Sequence, residues 1–264
     1  MTDWAQVRDA GYAVPDGRSV DDLVAELIGM LRSPDPGVRD RQAYSVLATW
    51  IGRGVLSADQ LRVLGDEMVG RFADPEIQAR TFAPLILDSI VTAEVFEPSW
   101  VPPFERWYVG EEDLRGYDAK LGWLHAVAHG ADLLGTLGLH EAVEPMQMLR
   151  LGLGRVLTPT PYVFRDMEDD RLGYALAITL TRPDLADTDA VEWLDPALRV
   201  FANPPVEGIP PEVSNTLRTL RVLYVFVDHG VRLPGTDKVA QITHRDAVRE
   251  RIVEVARMVT PYYF

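Results

Sequence analysis

Ser33-Pro34-Asp35-Pro36-Gly37-Val38-Arg39 and, further along, Asp74-Pro75-Glu76-Ile77-Gln78 decide how this chain is read. Asp35 and Asp74 stand 39 positions apart, and each Asp-Pro lies between two runs of apolar residues at helical spacing. Ahead of the first, Leu23, Val24, Leu27, Ile28 and Leu31 recur with the period of one helix face. Ser19 stands where an N-cap belongs, with Asp22 suited to the first turn. Proline disfavours continuation of that helix at Pro34 and Pro36. A second helix is expected over 37–52, with Val38, Ala43, Val46, Leu47 and Trp50 on its apolar side. The pattern then repeats. Ser57 precedes Leu61, Leu64, Met68 and Val69, the break falls at Asp74-Pro75, and Ile77, Phe82, Leu85, Ile86 and Ile90 follow. A further 39 positions leads to Asp113 in Glu111-Glu112-Asp113-Leu114-Arg115.

A two-helix unit recurring every ~40 residues is the mark of HEAT and armadillo repeats, whose pairs bury their apolar faces only by stacking. A plain helical bundle also shows amphipathic runs, but the recurring Asp-Pro favours a repeat. The expectation is therefore an all-α fold, a HEAT/armadillo-like α-solenoid of about five helix pairs, with residues 1–264 as one repeat domain. Beyond Gly138 the pattern loosens. Helices are expected over 140–157, 166–180, 189–201, 212–227 and 245–259, the last capped by Thr243. Breaks fall at Thr158-Pro159-Thr160-Pro161 and from Asn203-Pro204-Pro205 to Pro210-Pro211. No strand hairpin and no dividing linker is expected.

The composition sets limits on function. Apolar residues make up 47% and charged residues 25%, as in ordinary globular proteins. Acidic residues outnumber basic ones 40 to 26, for a net charge of −14, which repels phosphate backbones and disfavours nucleic acid as a partner. With no cysteine, the chain has no disulfide, thiolate nucleophile or cysteine-held zinc. Residues 1–20 hold no apolar run of the signal-peptide kind, and no window reaches the ~20 apolar residues of a membrane span. A cytoplasmic protein without a membrane partner is the expectation.

Chemistry concentrates in Gly122-Trp123-Leu124-His125-Ala126-Val127-Ala128-His129-Gly130-Ala131-Asp132-Leu133-Leu134. On a helix, His125, His129 and Asp132 would share one face within ~60° of each other. Imidazole and carboxylate at this spacing suit proton transfer, a bound ligand, or a divalent metal with an open position. The same three residues would serve equally as a buried polar network locking two helices. The Glu of a His-Glu-x-x-His protease is absent, so that mechanism lacks its base. No cofactor is expected, with a divalent metal at His125, His129 and Asp132 the one chemically admissible addition.

Glu112-Asp113-Leu114-Arg115-Gly116-Tyr117, Gly122-Trp123-Leu124-His125 and Ala128-His129-Gly130-Ala131-Asp132-Leu133-Leu134 together resemble the bacterial domain-of-unknown-function family 2785. The two Asp-Pro turns before them and Glu168-Asp169-Asp170-Arg171-Leu172 after them fit the same likeness, which spans roughly residues 20 to 230. The resemblance implies an all-helical HEAT-like fold and no established activity.

Two further groups border this segment. Asp166, Glu168, Asp169 and Asp170, beside Arg171, either form a solvated helix start or face the histidines and complete their site. Glu111, Glu112, Asp113 and Arg115 hold the comparable place one repeat earlier. Trp100, Trp107, Tyr108, Tyr117 and Trp123 either pack in the core or wall a pocket. The expected function is binding of a protein or small-molecule ligand in an acidic, aromatic-edged concave groove. His125, His129, Asp132, Asp113, Arg115, Trp123, Glu168 and Arg171 are its candidate residues. The alternative is a hydrolase, with or without metal, that activates water through His125, His129 and Asp132. A third option, a DNA-repair glycosylase on a HEAT-like scaffold, rests on fold analogy and on Arg218, Arg221, Arg245, Arg249 and Arg251. No Gly-x-Ser-x-Gly elbow, phosphate loop or dinucleotide fingerprint is present. Oligomeric state is not encoded in any feature read above.

Overall fold

The computed structural model describes residues 2–202 and 208–263, and these are mainly α-helical. They fall into two compact units, Met1–Leu133 and Leu134–Phe264.

In the first unit, α1 (Trp4–Asp9) and α2 (Val20–Met30) precede the first Asp-Pro turn. The Ser19 hydroxyl accepts the Asp22 amide at 3.1 Å, filling one of the donors that every helix start leaves open. At the turn, the Asp35 carboxylate accepts the Gly37 amide at 2.7 Å, and Pro36 opens α3 (Pro36–Val38). Arg39–Tyr44 then form a π-helical turn before α4 (Ser45–Gly52). α5 (Ala58–Arg71) begins on a full capping box between Ser57 and Gln60. The second Asp-Pro turn uses the same device, Asp74 accepting the Glu76 amide at 2.9 Å, and α6 (Ile77–Thr92) follows. α7 (Val101–Gly110) ends at Glu111. The buried sides are those the periodicity predicts: Leu23, Leu27, Val46, Leu47 and Trp50 are fully enclosed, as are Met68, Ile86 and Ile90.

The segment from Gly122 to Leu134 is helical as expected from Ala126 onward, but its first four residues depart from that helix. Tyr117–Asp118 (β1) and Gly122–Trp123 (β2) pair as a short antiparallel hairpin, and α8 (Ala126–Leu139) starts only after His125. Turn chemistry explains the difference. The Asp118 carboxylate accepts the amides of Lys120 and Leu121 at 2.8 and 3.0 Å, and Gly122 takes a left-handed φ of 74°. A side chain at Gly122 would also meet the Pro36 ring, with Cβ atoms 3.0 Å apart.

In the second unit, α9 (Pro145–Leu157) starts five residues later than its apolar spacing suggests, because Pro145 is suited to a first helical position and holds Glu144 extended. α10 (Glu168–Thr179) follows the left-handed Met167. The helix expected over 189–201 divides into α11 (Asp189–Glu192) and α12 (Asp195–Phe201), since Pro196 opens a new helix. α13 (Pro211–His229) ends at Gly230, whose φ of 86° closes it. The break at Asn203-Pro204-Pro205 lies outside the described residues. A second hairpin, Val231–Arg232 (β3) with Val239–Ala240 (β4), again corrects the expectation of no strands. α14 (Arg245–Val259) has the expected bounds but not the expected cap. The Thr243 hydroxyl bonds the Arg182 carbonyl instead, and His244 occupies the cap position with φ 56°. Among the described residues no helix is long and apolar enough to cross a membrane.

Candidate functional site

The histidine pair is assembled by the hairpin rather than by one helix. The amides of Leu124 and His125 bond the Gly116 carbonyl at 2.8 and 3.2 Å, which holds His125 in a left-handed conformation just ahead of α8. His129, one turn into α8, then meets it edge to face with ring centroids 5.6 Å apart. Asp132 is a further three residues along α8 and half-buried. The helical stripe of three is thus a pair of imidazoles, one on a loop and one on a helix, with the carboxylate beyond. Among the described residues no group of three or more His, Asp or Glu is gathered so as to hold a metal ion.

His129 is 7% exposed, and its Nδ1 lies 3.0 Å from the Thr81 carbonyl. A carbonyl accepts only, so this nitrogen carries the proton. Phe82 packs on His129 at 5.2 Å, and the Arg39 guanidinium lies 4.7 Å over the Phe82 ring. Arg39 has no exposed surface. It ion-pairs with Asp40 at 2.7 Å and donates to the carbonyls of Leu121 and Trp123 at 2.8 and 3.2 Å, tying the π-helical turn to the hairpin. Burial pushes the Asp40 carboxyl above its ordinary pKa despite that arginine. Outside this buried knot, Trp123 packs on His125 at 4.5 Å and Tyr117 on Trp123 at 4.9 Å, each about half exposed. Trp100, Trp107 and Tyr108 belong to the core.

The acidic loop after α7 is a second assembly in the same unit. Arg80 on α6 grips Glu111 with two bonds of 2.7 and 3.0 Å, and Trp107 Nε1 donates to the same carboxylate at 3.0 Å. Burial raises the Glu111 pKa, but the bonds from Arg80 and from the Asp113 amide outweigh it and leave the carboxyl below its ordinary value. Arg115 holds Asp113 through two bonds of 2.8 and 2.6 Å and reaches Asp118 at 2.6 Å. Hydrogen bonding from Arg115 lowers the Asp113 pKa. Beside these pairs opens a cleft of about 750 Å³, lined by Phe72, Arg80, Arg106, Trp107, Glu111, Glu112 and Asp113 among others. Its aromatic floor is the stack of Phe72 on Trp107, with centroids 4.9 Å apart. Arg106 and Glu112 are exposed on its walls, and among the described residues neither forms an ion pair.

Glu168 and Arg171 lie in the other unit. Glu168 is fully buried and accepts the amides of Arg165 and Asp166 at 3.0 and 2.8 Å and the Tyr162 hydroxyl at 3.2 Å. Burial keeps its pKa above the ordinary value. Asp169 pairs with Arg218 at 2.6 Å, and Arg171 is exposed. Of the other four arginines of the suggested basic cluster, Arg245 pairs with Asp228, Arg249 with Asp246, and Arg251 with Asp195 and Glu254, while Arg221 is exposed. Sequence reasoning missed Arg39, Phe72, Arg80 and Arg106. Only Arg80 left a trace, as the counterpart of Arg41 one 39-residue step earlier.

A family model described as a protein of unknown function (DUF2785) matches residues 68–225, more than half of the chain. The chain belongs to the DUF2785 family. The match takes in α6, the acidic loop, the hairpin, both histidines and the Glu168 segment, while Arg39 and Asp40 precede it. No curated protein and no solved structure matches the chain.

Proposed function

We propose that this DUF2785 protein is a HEAT-like helical-repeat binding protein of the bacterial cytoplasm, and that its site is the cleft over Phe72 and Trp107. The repeat part of this reading draws on the equivalence of the Ser19 and Ser57 caps and of the Asp35 and Asp74 turns. Consecutive turns are also tied together, Arg32 donating to Asp74 at 3.1 Å and Gln78 to the Arg32 carbonyl at 3.0 Å.

One observation carries the binding reading: an aromatic-floored cleft of ligand size whose Glu111 and Asp113 are already held by arginines, while Arg106 and Glu112 stand exposed with opposite charges. Such walls suit a ligand with a flat apolar body and polar groups of both signs, such as an aromatic amino acid, a related zwitterion or a short peptide segment. A thermal-shift screen of such compounds is the test. A hit should lose about tenfold in affinity in Arg106→Gln and again in Glu112→Gln, each change removing one charge-assisted contact. Both residues are exposed, so neither change should alter the melting temperature without ligand. A hit indifferent to both variants sinks the proposal for this cleft.

The hydrolase alternative has the His125–His129 ring pair in its favour. It has less to work with, because His129 is enclosed and one of its nitrogens is committed to Thr81. Metal analysis of the purified protein beside His129→Ala decides it: stoichiometric metal, lost in the variant, would revive the hydrolase.

A further inference from the structure

A second surface in the first unit is unrelated to the cleft. α2 and α5 run with their starts side by side, joined by a bond of 2.5 Å from Gln60 Nε2 to the Asp21 carboxylate. Between them lies a groove of about 600 Å³. Its floor is apolar: Val24, Ala25, Ile28, Leu56, Val63 and Leu64. Leu56 and Leu64 are buried beneath it, whereas Val63 is 71% exposed. The rim carries Asp21, Asp59 and Glu67, and no lysine or arginine lines it. Two of these carboxylates already have arginine partners. Arg62 is shared between Asp59 and Glu97, and Arg71 lies 3.3 Å from Glu67. Among the described residues Asp21 has the neutral Gln60 as its one side-chain partner.

We propose that this groove docks a basic amphipathic helix from a partner protein. Two neighbouring helices leave a furrow into which a third lays a ridge of side chains at i, i+3, i+4 and i+7. The apolar floor takes that ridge, and the three carboxylates face the lysines or arginines flanking it. Charge selects this occupant over the others. An anionic membrane surface is repelled by the rim, and a second copy of the chain brings a net charge of −14 against its own.

The probe is a fluorescent amphipathic peptide with leucine on one face and lysine flanking it, compared with a peptide in which glutamate replaces every lysine. Anisotropy should show saturable binding of the Leu/Lys peptide, weakening as salt rises, and none of the Leu/Glu peptide. Val63→Gln leaves charge unchanged and alters an exposed position, so it should weaken the Leu/Lys peptide about tenfold through lost apolar burial alone. The absence of cysteine allows a site-specific readout. An environment-sensitive dye on Val63→Cys should shift to the blue on adding peptide, while the same dye on Val200→Cys, 53% exposed in the other unit, should not. Equal affinity of the wild type and Val63→Gln, equal response to both peptides, or no binding at all overturns the proposal. A blue shift at Val63→Cys that grows with protein concentration and needs no peptide overturns it in favour of self-association.

Discussion

Glu111 and Glu168 are both carboxylates taken out of water, one in each unit, and their surroundings drive them in opposite directions. Glu111 meets the fork of Arg80, a tryptophan N–H and one amide, and its pKa falls below the ordinary value. Glu168 meets two amides and a tyrosine hydroxyl and, among the described residues, no cation, and burial raises its pKa. Dipoles soften desolvation, whereas a guanidinium reverses it. The first acid is therefore a fixed anion beside the cleft. The second is a helix-start clamp whose carboxyl takes up a proton more readily than usual.

The strongest way to break this contrast is Arg80→Met. It turns Glu111 into a buried acid without its cation, and we expect a loss of about 3 kcal/mol in urea unfolding at neutral pH, with the Glu111 pKa rising as that of Glu168 does. A smaller loss, about 1 kcal/mol, is expected for Tyr162→Phe, which removes the hydroxyl that Glu168 shares with Asp166. Its pKa, followed by NMR, should climb further.

The pH profiles sharpen the contrast because their signs differ. Glu111, with a depressed pKa, stabilises the fold above the ordinary carboxylate pKa of about 4.3, and this is lost as pH falls through the depressed value. Glu168, with a raised pKa, binds more protons folded than unfolded. Its contribution is full below the ordinary value and is lost as pH rises through the raised one. Glu111→Gln should therefore become less costly on acidification, and Glu168→Gln less costly on going from about pH 4 to neutrality. Profiles moving the same way would erase the distinction. Arg115→Gln is the smallest change, within about 0.5 kcal/mol, since its pairs with Asp113 and Asp118 are open to solvent.

Local signals made much of the fold legible. Ser19, Ser57 and the two Asp-Pro turns announce helix boundaries through short-range hydrogen bonds, and 245–259 reads as a helix because its apolar period is uninterrupted. The hairpin was harder. Residues 123–125 continue the apolar spacing of the helix after them, and what redirects them is Asp118 and Gly122, a turn signature five positions long. The site was legible as a neighbourhood but not as an arrangement. His125 and His129 meet as their spacing suggests, although only one of them is helical. Arg39 could not be found this way, because a fully buried arginine depends on carbonyls more than 80 residues distant, 121 and 123, reaching it in space. Arg80 and Glu111, 31 residues apart, pair for the same tertiary reason.

The closeness of Gly122 to the Pro36 ring has a consequence for how the hairpin is seated. Position 122 has both a left-handed backbone and a proline against it, so substitution there is penalised twice. Position 36 belongs to the first Asp-Pro turn and position 122 to the hairpin that carries the histidines. Glycine at 122 has no side chain to give up, so room for a larger residue at 36 can come only from moving the hairpin backbone. The first Asp-Pro turn therefore sets where the histidine-bearing hairpin can sit.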